Sequence, residues 1–516
     1  MNPRISFWVF LAVLPFYVLL TRGHFQSTDE IAVFQQARSL WERGDLNVGP
    51  MINTRVGRGG NHYAVYGAGQ SIAAVPLYAA GKWLHNSLAG NREWRETFAG
   101  PVVGTNPAIR WGGEVEIFTV GLFGAFATAL LCAVFFSFSL QLGASLRSAL
   151  IGVALFGVTS QIVGFSSTFF QHVLETLTIF SCFYYLFRDA REPNWWLRLL
   201  AGAIAGFALV VRIHTLILLP ALSVFLLWNV WRRHAAGVEW SRSRVLRMLL
   251  ECVPFFAMIG AGIAGQFALN YLKFAELTFT GGYAGGTFDA SLFTTWFGFF
   301  FSPGESIFLF TPLLLLIPLY WPPFFRRYRA ESFCMLGVAA SYLLFYGKYD
   351  FWHGQWCFGP RYLLVTVPFL ILPLASWWDT ATNRWRGVAL ALGAAGAFVQ
   401  LLSVAVNFSY VFHHEKYAAF KPEYGYLFVP QSSQLATHYR ALMAADFRVD
   451  MWLVNVYRQF GVGQLLTVAL PLVGLMLFAL WGLRRAIAEP RPSRKSTKAP
   501  VMVSKRPSRS SANASR

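Results

Sequence analysis

The chain has 516 residues, 55% hydrophobic and 13% charged, with a mean hydropathy of +0.45 and a formal net charge of +19. A soluble domain carries roughly 25% charged residues, so the composition excludes an ordinary soluble globular protein. The positive charge does not point to nucleic acid, because it gathers in alternate connections between hydrophobic runs and in the tail 484–516, the pattern of positive-inside membrane proteins.

The predicted elements begin with a hydrophobic run at about 6–21. Eleven more follow at about 117–141, 148–166, 171–187, 196–212, 213–231, 247–270, 306–321, 332–347, 361–378, 387–407 and 464–483. Each is near the roughly 20 residues that span a bilayer as a helix, so the expected fold is an all-α polytopic membrane protein with about 12 transmembrane helices. No small-residue cleavage site follows the first run ("LLTRGHFQSTDE"), which is therefore read as retained rather than as a signal peptide. Residues 1–483 read as one transmembrane domain, and 484–516, rich in Ser, Pro and Lys, as a basic disordered cytoplasmic tail. Both termini are then cytoplasmic and the odd-numbered loops face out. Of the five cysteines, only Cys357 falls in an outer loop, which leaves it no outer-loop disulfide partner.

Two outer segments are long, 22–116 and 408–463, and both are rich in aromatic and apolar residues. Surface helices on the outer face of the membrane are expected there. In 28–43, Ile31, Phe34, Ala37 and Trp41 recur at helical spacing, and Gly44 stops the helix. Such a helix would lie in the interface. Residues 70–84 could form a second one, interrupted at Pro76.

"STDE" opens the first of these helices, and its two acids read in two ways. Ser27 and Glu30 fit a capping box, with Asp29 complementing the helix dipole. The pair also stands just beyond a span, where a carboxylate could take a proton from an acceptor hydroxyl. The two roles can divide, Glu30 capping and Asp29 acting as a base.

Other polar residues mark the same outer face. His172 and Glu175, three apart, share a helix face at the start of the fourth span, where ionisable groups are costly and usually functional; a mutually satisfied pair is the bland alternative. Arg212 and His214 sit at the turn between spans five and six, where a phosphate would suit the arginine and snorkelling is the alternative. "FFFSPGESIFLFTP" carries Glu305 into span eight. "YDFWHGQWCFGPRYLL" packs Trp352, His353, Gln355 and Arg361 into one outer turn, with Gly354 and Gly359 allowing close backbone approach. No phosphate-binding loop or dinucleotide fingerprint is present, so an activated lipid is a natural energy source.

"TDEIAVFQQARSLWERGDL", "YAVYGAGQSIAAVPLYAAG", "NPAIRW", "LVVRIHTLILLP", "FSPGESIFLFTPLLLL" and "WHGQWCFGPRYLL", in this order, resemble the C-type glycosyltransferases of membranes. The likeness is to the branch with protein O-mannosyltransferases and the aminoarabinose transferase of lipid A, over roughly residues 5–480. The resemblance implies a sugar donor on polyprenyl phosphate, a glycan, lipid or protein acceptor, and inverting transfer on the outer face of the membrane. It implies Asp29 as catalytic base with Glu30 in support. Tyr63, Tyr66, His172, Glu175, Arg212, Trp352, His353, Gln355 and Arg361 would hold the substrate. No cofactor is certain; two acids could bind a divalent cation, with an incomplete ligand set. A transporter or lipid flippase is the alternative, and would place ionisable groups at mid-bilayer and break its spans.

Overall fold

The computed structural model describes residues 3–100, 112–235, 241–278, 280, 286–354, 357–408, 411, 425–444 and 449–488. Helices dominate, and each of the twelve expected runs coincides with helical segments. Helix α1 is Pro3–Leu19, α2 Thr28–Glu42, α3 Gly69–Ser87 and α4 Arg92–Ala99. Between α2 and α3 lies a small antiparallel hairpin, β1 (Thr54–Val56) and β2 (His62–Ala64), an addition to the otherwise helical chain that the sequence reading did not expect. Strands of three residues are too short to show an alternating pattern in the sequence.

The chain continues through α5 (Val115–Gly121), α6 (Phe123–Gln141), α7 (Leu146–Thr159), α8 (Ile162–Ser166), α9 (Gln171–Arg191), α10 (Trp195–Val211), α11 (Leu219–His234) and α12 (Arg242–Phe274). A ten-residue helix that the sequence reading missed, α13 (Leu292–Phe301), precedes α14 (Ile307–Phe310), α15 (Ile317–Arg327), α16 (Arg329–Lys348), α17 (Thr366–Trp377) and α18 (Asn383–Ala405). A helical run over Trp452–Ala488 closes the described chain; the tail beyond it lies outside the described residues.

Six helical runs are long and apolar enough to cross a membrane by length and composition. The others differ for local reasons. Residues 148–166 break at Ser160, and 306–321 divide into α14, a 3₁₀ turn and α15 around Pro312. The long helices α12 and Trp452–Ala488 are barely covered by the rest of the protein. Their outward residues are apolar, among them Leu246, Leu249, Leu250, Leu470, Leu477 and Phe478. Water would not tolerate so much contiguous apolar surface, whereas lipid does. The chain is an integral, multi-pass membrane protein.

All five cysteines are buried and unpaired. Polar side chains concentrate at opposite ends of the helix bundle. One cluster, at the C-terminus of α9 and the N-terminus of α10, is held by ion pairs to neighbouring helices: buried Asp189 binds Arg198 (2.9 Å) and Arg233 (2.8 Å), and half-buried Glu251 faces both arginines and His234. The other cluster surrounds a cavity at the opposite end.

Candidate active site

Helix α2 starts as its sequence dictates. Ser27 caps it, its hydroxyl accepting from the Glu30 amide, and the Glu30 carboxylate returns to the Ser27 amide (2.9 Å). The Glu30 carboxylate also accepts from the Gln26 amide (2.7 Å) and, across the fold, from the Phe169 amide (2.6 Å). Glu30 is fully buried; burial pushes its pKa up, and these amides with Arg22 pull it back. Its oxygens are committed to this junction, so a divalent cation shared between Asp29 and Glu30 does not fit the geometry. Among the described residues no group of three metal-ligating side chains comes together.

The apolar face of α2 is covered by protein rather than lipid. Ile31, Val33, Phe34 and Ala37 pack with Phe25, Tyr78 and Phe169, and only Trp41 is half exposed. Helix α3 runs unbroken through Pro76, against the expected interruption. Glu30→Gln exchanges a charged acceptor for an amide with one carbonyl. It is expected to cost about 1–3 kcal/mol, read as a lower melting midpoint in detergent with little change in activity per folded molecule.

Asp29, one residue earlier, faces a cavity. Its Oδ1 accepts from Asn53 Nδ2 (2.8 Å), its Oδ2 lies 3.6 Å from the Arg361 guanidinium, and 29% of its side chain is exposed. The cavity is lined by Asp29, Tyr66, His172, Arg212, Arg361 and Tyr362, with Gln266, His214 and Phe170 among the rest of its wall. It measures about 60 Å³, room for a few waters at about 10–15 Å³ each.

Each of these groups is set by its element. Tyr66 belongs to the turn after β2, which lies so close to α10 that a Cβ on Gly67 would collide with the Val210 carbonyl. His172 is in the first turn of α9, ringed by Phe165, Phe170 and Tyr362, and among the described residues neither of its ring nitrogens has a hydrogen-bond partner. Arg212 ends α10. It does not wait unpaired for a ligand: its guanidinium binds Glu175 (2.7 Å), which also accepts from Tyr342 and Thr215. Glu175 is therefore paired with Arg212 rather than with His172, and it stands behind the cavity wall.

Arg361 sits at the start of the 3₁₀ turn that leads to α17, buried against the rings of Phe170 and Tyr362. Gly354 adopts φ +70°, and a Cβ there would press on the Arg361 side chain. Tyr362 stacks on Tyr346 (4.1 Å between centroids, 9° apart) and presents its ring to both Arg212 and Arg361. The negative face of an aromatic ring attracts both cations.

The remaining expected residues lie elsewhere. Tyr63, on β2, points to Phe274 and donates to the Arg58 carbonyl (3.3 Å). Trp352 packs edge-on to Phe299, and His353 bonds the Tyr426 hydroxyl (2.8 Å). Burial with Arg361 nearby brings the His353 pKa down to about 4. None of the three lines the cavity. Gln355 lies outside the described residues. Sequence reasoning missed Asn53 and Tyr362. Asn53 carries a weak signal only in retrospect, a positive φ of 65° at a residue type that tolerates it.

Behind Glu30 a clamp joins the two long segments. His24 Nε2 meets Asp450 (2.7 Å) and its Nδ1 meets the Phe25 carbonyl (2.7 Å), an arrangement in which both nitrogens donate and the ring is charged. Arg22 lies 3.7 Å from the same aspartate. Burial lowers the His24 pKa, but Asp450 and the Phe25 carbonyl outweigh it and leave it raised above 6.5. Burial raises the Asp450 pKa, but His24 and Arg22 outweigh it and leave it below 3.8. The clamp is therefore at full strength between pH 3.8 and 6.5. It weakens as pH rises through the His24 value, or falls through that of Asp450. The melting midpoint is expected to decline above pH 6.5, and His24→Gln to abolish the part of that decline due to the clamp. Identical alkaline slopes for both proteins would show that the pair contributes nothing.

Residues 112–266 match the model of the dolichyl-phosphate-mannose-protein mannosyltransferase family. This stretch runs from α5 into α12 and contains His172, Glu175 and Arg212. No curated protein matches the chain by sequence. Among solved structures, the apo oligosaccharyltransferase of Archaeoglobus fulgidus is similar at 11% identity and a TM-score of 0.49, over 80% of this chain and 59% of that one. ArnT from Cupriavidus metallidurans in its apo state is similar at 14% identity and a TM-score of 0.45, over 92% and 75%. The same protein bound to undecaprenyl phosphate gives 15% and 0.43, over 92% and 76%. The chain thus spans 59% of the length of the archaeal protein. With every one of these scores below 0.5, what the comparisons establish is the match over residues 112–266, where the chain is similar to the dolichyl-phosphate-mannose-protein mannosyltransferase family.

Proposed function

We propose that the protein transfers a sugar from a polyprenyl-phosphate donor to an acceptor hydroxyl on the outer face of the membrane, with inversion at the anomeric carbon. The observation that carries this reading is that Asp29, Arg361, Arg212 and His172 line one cavity at one end of the helix bundle.

The chemistry needs a base at the acceptor and positive charge at the departing phosphate. Asp29 takes the acceptor proton as the acceptor oxygen attacks the anomeric carbon from the face opposite the phosphate. The bond from that carbon to the phosphate oxygen breaks, and its electron pair leaves with the polyprenyl phosphate. Charge supports the sequence of events. Asp29 and Glu175 balance Arg361 and Arg212 in the resting site. Once Asp29 is protonated, one positive charge is uncompensated, just as the leaving phosphate gains one negative charge. His172, with both nitrogens available, can donate a hydrogen bond to a phosphate oxygen.

In this reading the twelve helical runs all cross the membrane, both termini are cytoplasmic and the cavity opens outward. The basic tail then lies beside anionic lipid on the inner face. The test is reconstitution of the full chain in lipid vesicles with a radiolabelled sugar on polyprenyl phosphate. Mass spectrometry of surface glycans and glycolipids from cells with and without the protein identifies the acceptor. Transfer of label, with loss of one glycan in the deficient cells, is expected; cells with identical glycans and vesicles without transfer would refute the reading.

A further inference from the structure

A lysine unused by the reading above holds the wall of the cavity from outside. Lys273 lies in the last turn of α12 and is 2% exposed. Its Nζ donates to the Ala64 carbonyl (2.7 Å) and to the Tyr66 carbonyl (2.8 Å). These carbonyls flank Val65, and Val65, Tyr66 and Gly67 all line the cavity.

Burying an ammonium is expensive unless its hydrogen bonds are well made. A leucine or methionine would fill the same space, so the charge needs a reason. Complementing the dipole of its own helix is one, but Nζ reaches the hairpin's carbonyls rather than those of α12. The junction is reinforced beside it. Arg55 pairs with Glu276 (2.7 Å), Tyr63 packs edge-on to Phe274, and a Cβ on Gly57 would strike the Lys273 carbonyl. On the far side of the turn, Gly67 and Gly69 abut the backbone of Val210 and Val211, immediately before Arg212. The turn is therefore wedged between the ends of α12 and α10, and the lysine fixes it on one side.

We propose that Lys273 is a positioning residue for the cavity: through two carbonyls, its ammonium sets where the Val65–Gly67 backbone stands against Asp29 and Arg212, and so how tightly a polyprenyl phosphate headgroup is held. This role rests on the glycosyl-donor reading. The role is testable in the full chain in lipid nanodiscs, with a polyprenyl phosphate lacking sugar as the probe. Two quantities are read, amide hydrogen exchange over residues 64–69 and equilibrium affinity for the probe.

In Lys273→Met, exchange over 64–69 is expected to accelerate while that of α9 stays unchanged. Affinity is expected to fall about tenfold, the scale of one charge-assisted hydrogen bond. Lys273→Arg, which retains donors for both carbonyls, should recover most of the affinity. If Lys273→Met does not fold, Lys273→Gln is read on the same two quantities. Unchanged exchange, or faster exchange with unchanged affinity, would overturn the role. Failure of the unaltered protein to bind the probe would instead overturn the donor reading, and this role with it.

Discussion

Asp29→Asn is expected to slow sugar transfer by about 10²–10⁴-fold, the range for loss of a general base, while the protein folds normally. The two side chains have nearly the same shape, and the amide oxygen can still accept from Asn53 Nδ2, now 2.8 Å from the carboxylate. What disappears is the ability to hold a proton and the charge opposite Arg361. Initial rates at saturating donor, normalised to folded protein, give the comparison. A variant running at a third of the normal rate would remove Asp29 from the role of base. Affinity for polyprenyl phosphate is expected to hold or rise, because the variant leaves the cavity more positive.

The second large effect is expected from Arg212→Met. Glu175 is fully buried, and the Arg212 guanidinium 2.7 Å away is its only cationic partner among the described residues. Tyr342 and Thr215 would remain as donors, but an uncompensated carboxylate in such a place costs about 3–5 kcal/mol. The melting midpoint should fall sharply, and transfer should fall with it because Arg212 also lines the cavity. The double variant Arg212→Met with Glu175→Leu separates the two contributions. Removing both charges should restore most of the stability but not the activity. Recovery of both would reduce Arg212 to a structural partner of Glu175; recovery of neither would mean that the pair is not the source of the instability.

The helices were legible because their signal is local. The apolar runs are close to membrane length, and "STDE" carries a complete capping box within four residues, which the structure reproduces atom for atom at Ser27 and Glu30. The division between the neighbouring acids, one capping and one facing the cavity, also follows from helix geometry. The rest of the site depends on contacts that no local pattern contains. Asn53 reaches Asp29 from a hairpin with strands too short to predict. Tyr362 is one of many aromatic residues until its ring is found beside two arginines. Conversely, crowding in sequence misled: Trp352 and His353 share a turn with Arg361, yet they point toward Phe299 and Tyr426, because a loop turning at Gly354 sends successive side chains in different directions. Tyr63 and Tyr66 separate for a similar reason, one on a strand against α12 and the other in the following turn.

The central claim is that the lipid phosphate binds beside Asp29, among Arg212, Arg361 and His172. Photocrosslinking tests it most directly, using a polyprenyl phosphate with a photoreactive group next to the phosphate, the full chain in lipid vesicles and peptide mapping of the adduct. The predicted result is label on the segments bearing Tyr66, His172 and Tyr362, competed away by unmodified polyprenyl phosphate. Competable label confined to the opposite end of the bundle, around Arg198 and Arg233, would contradict it.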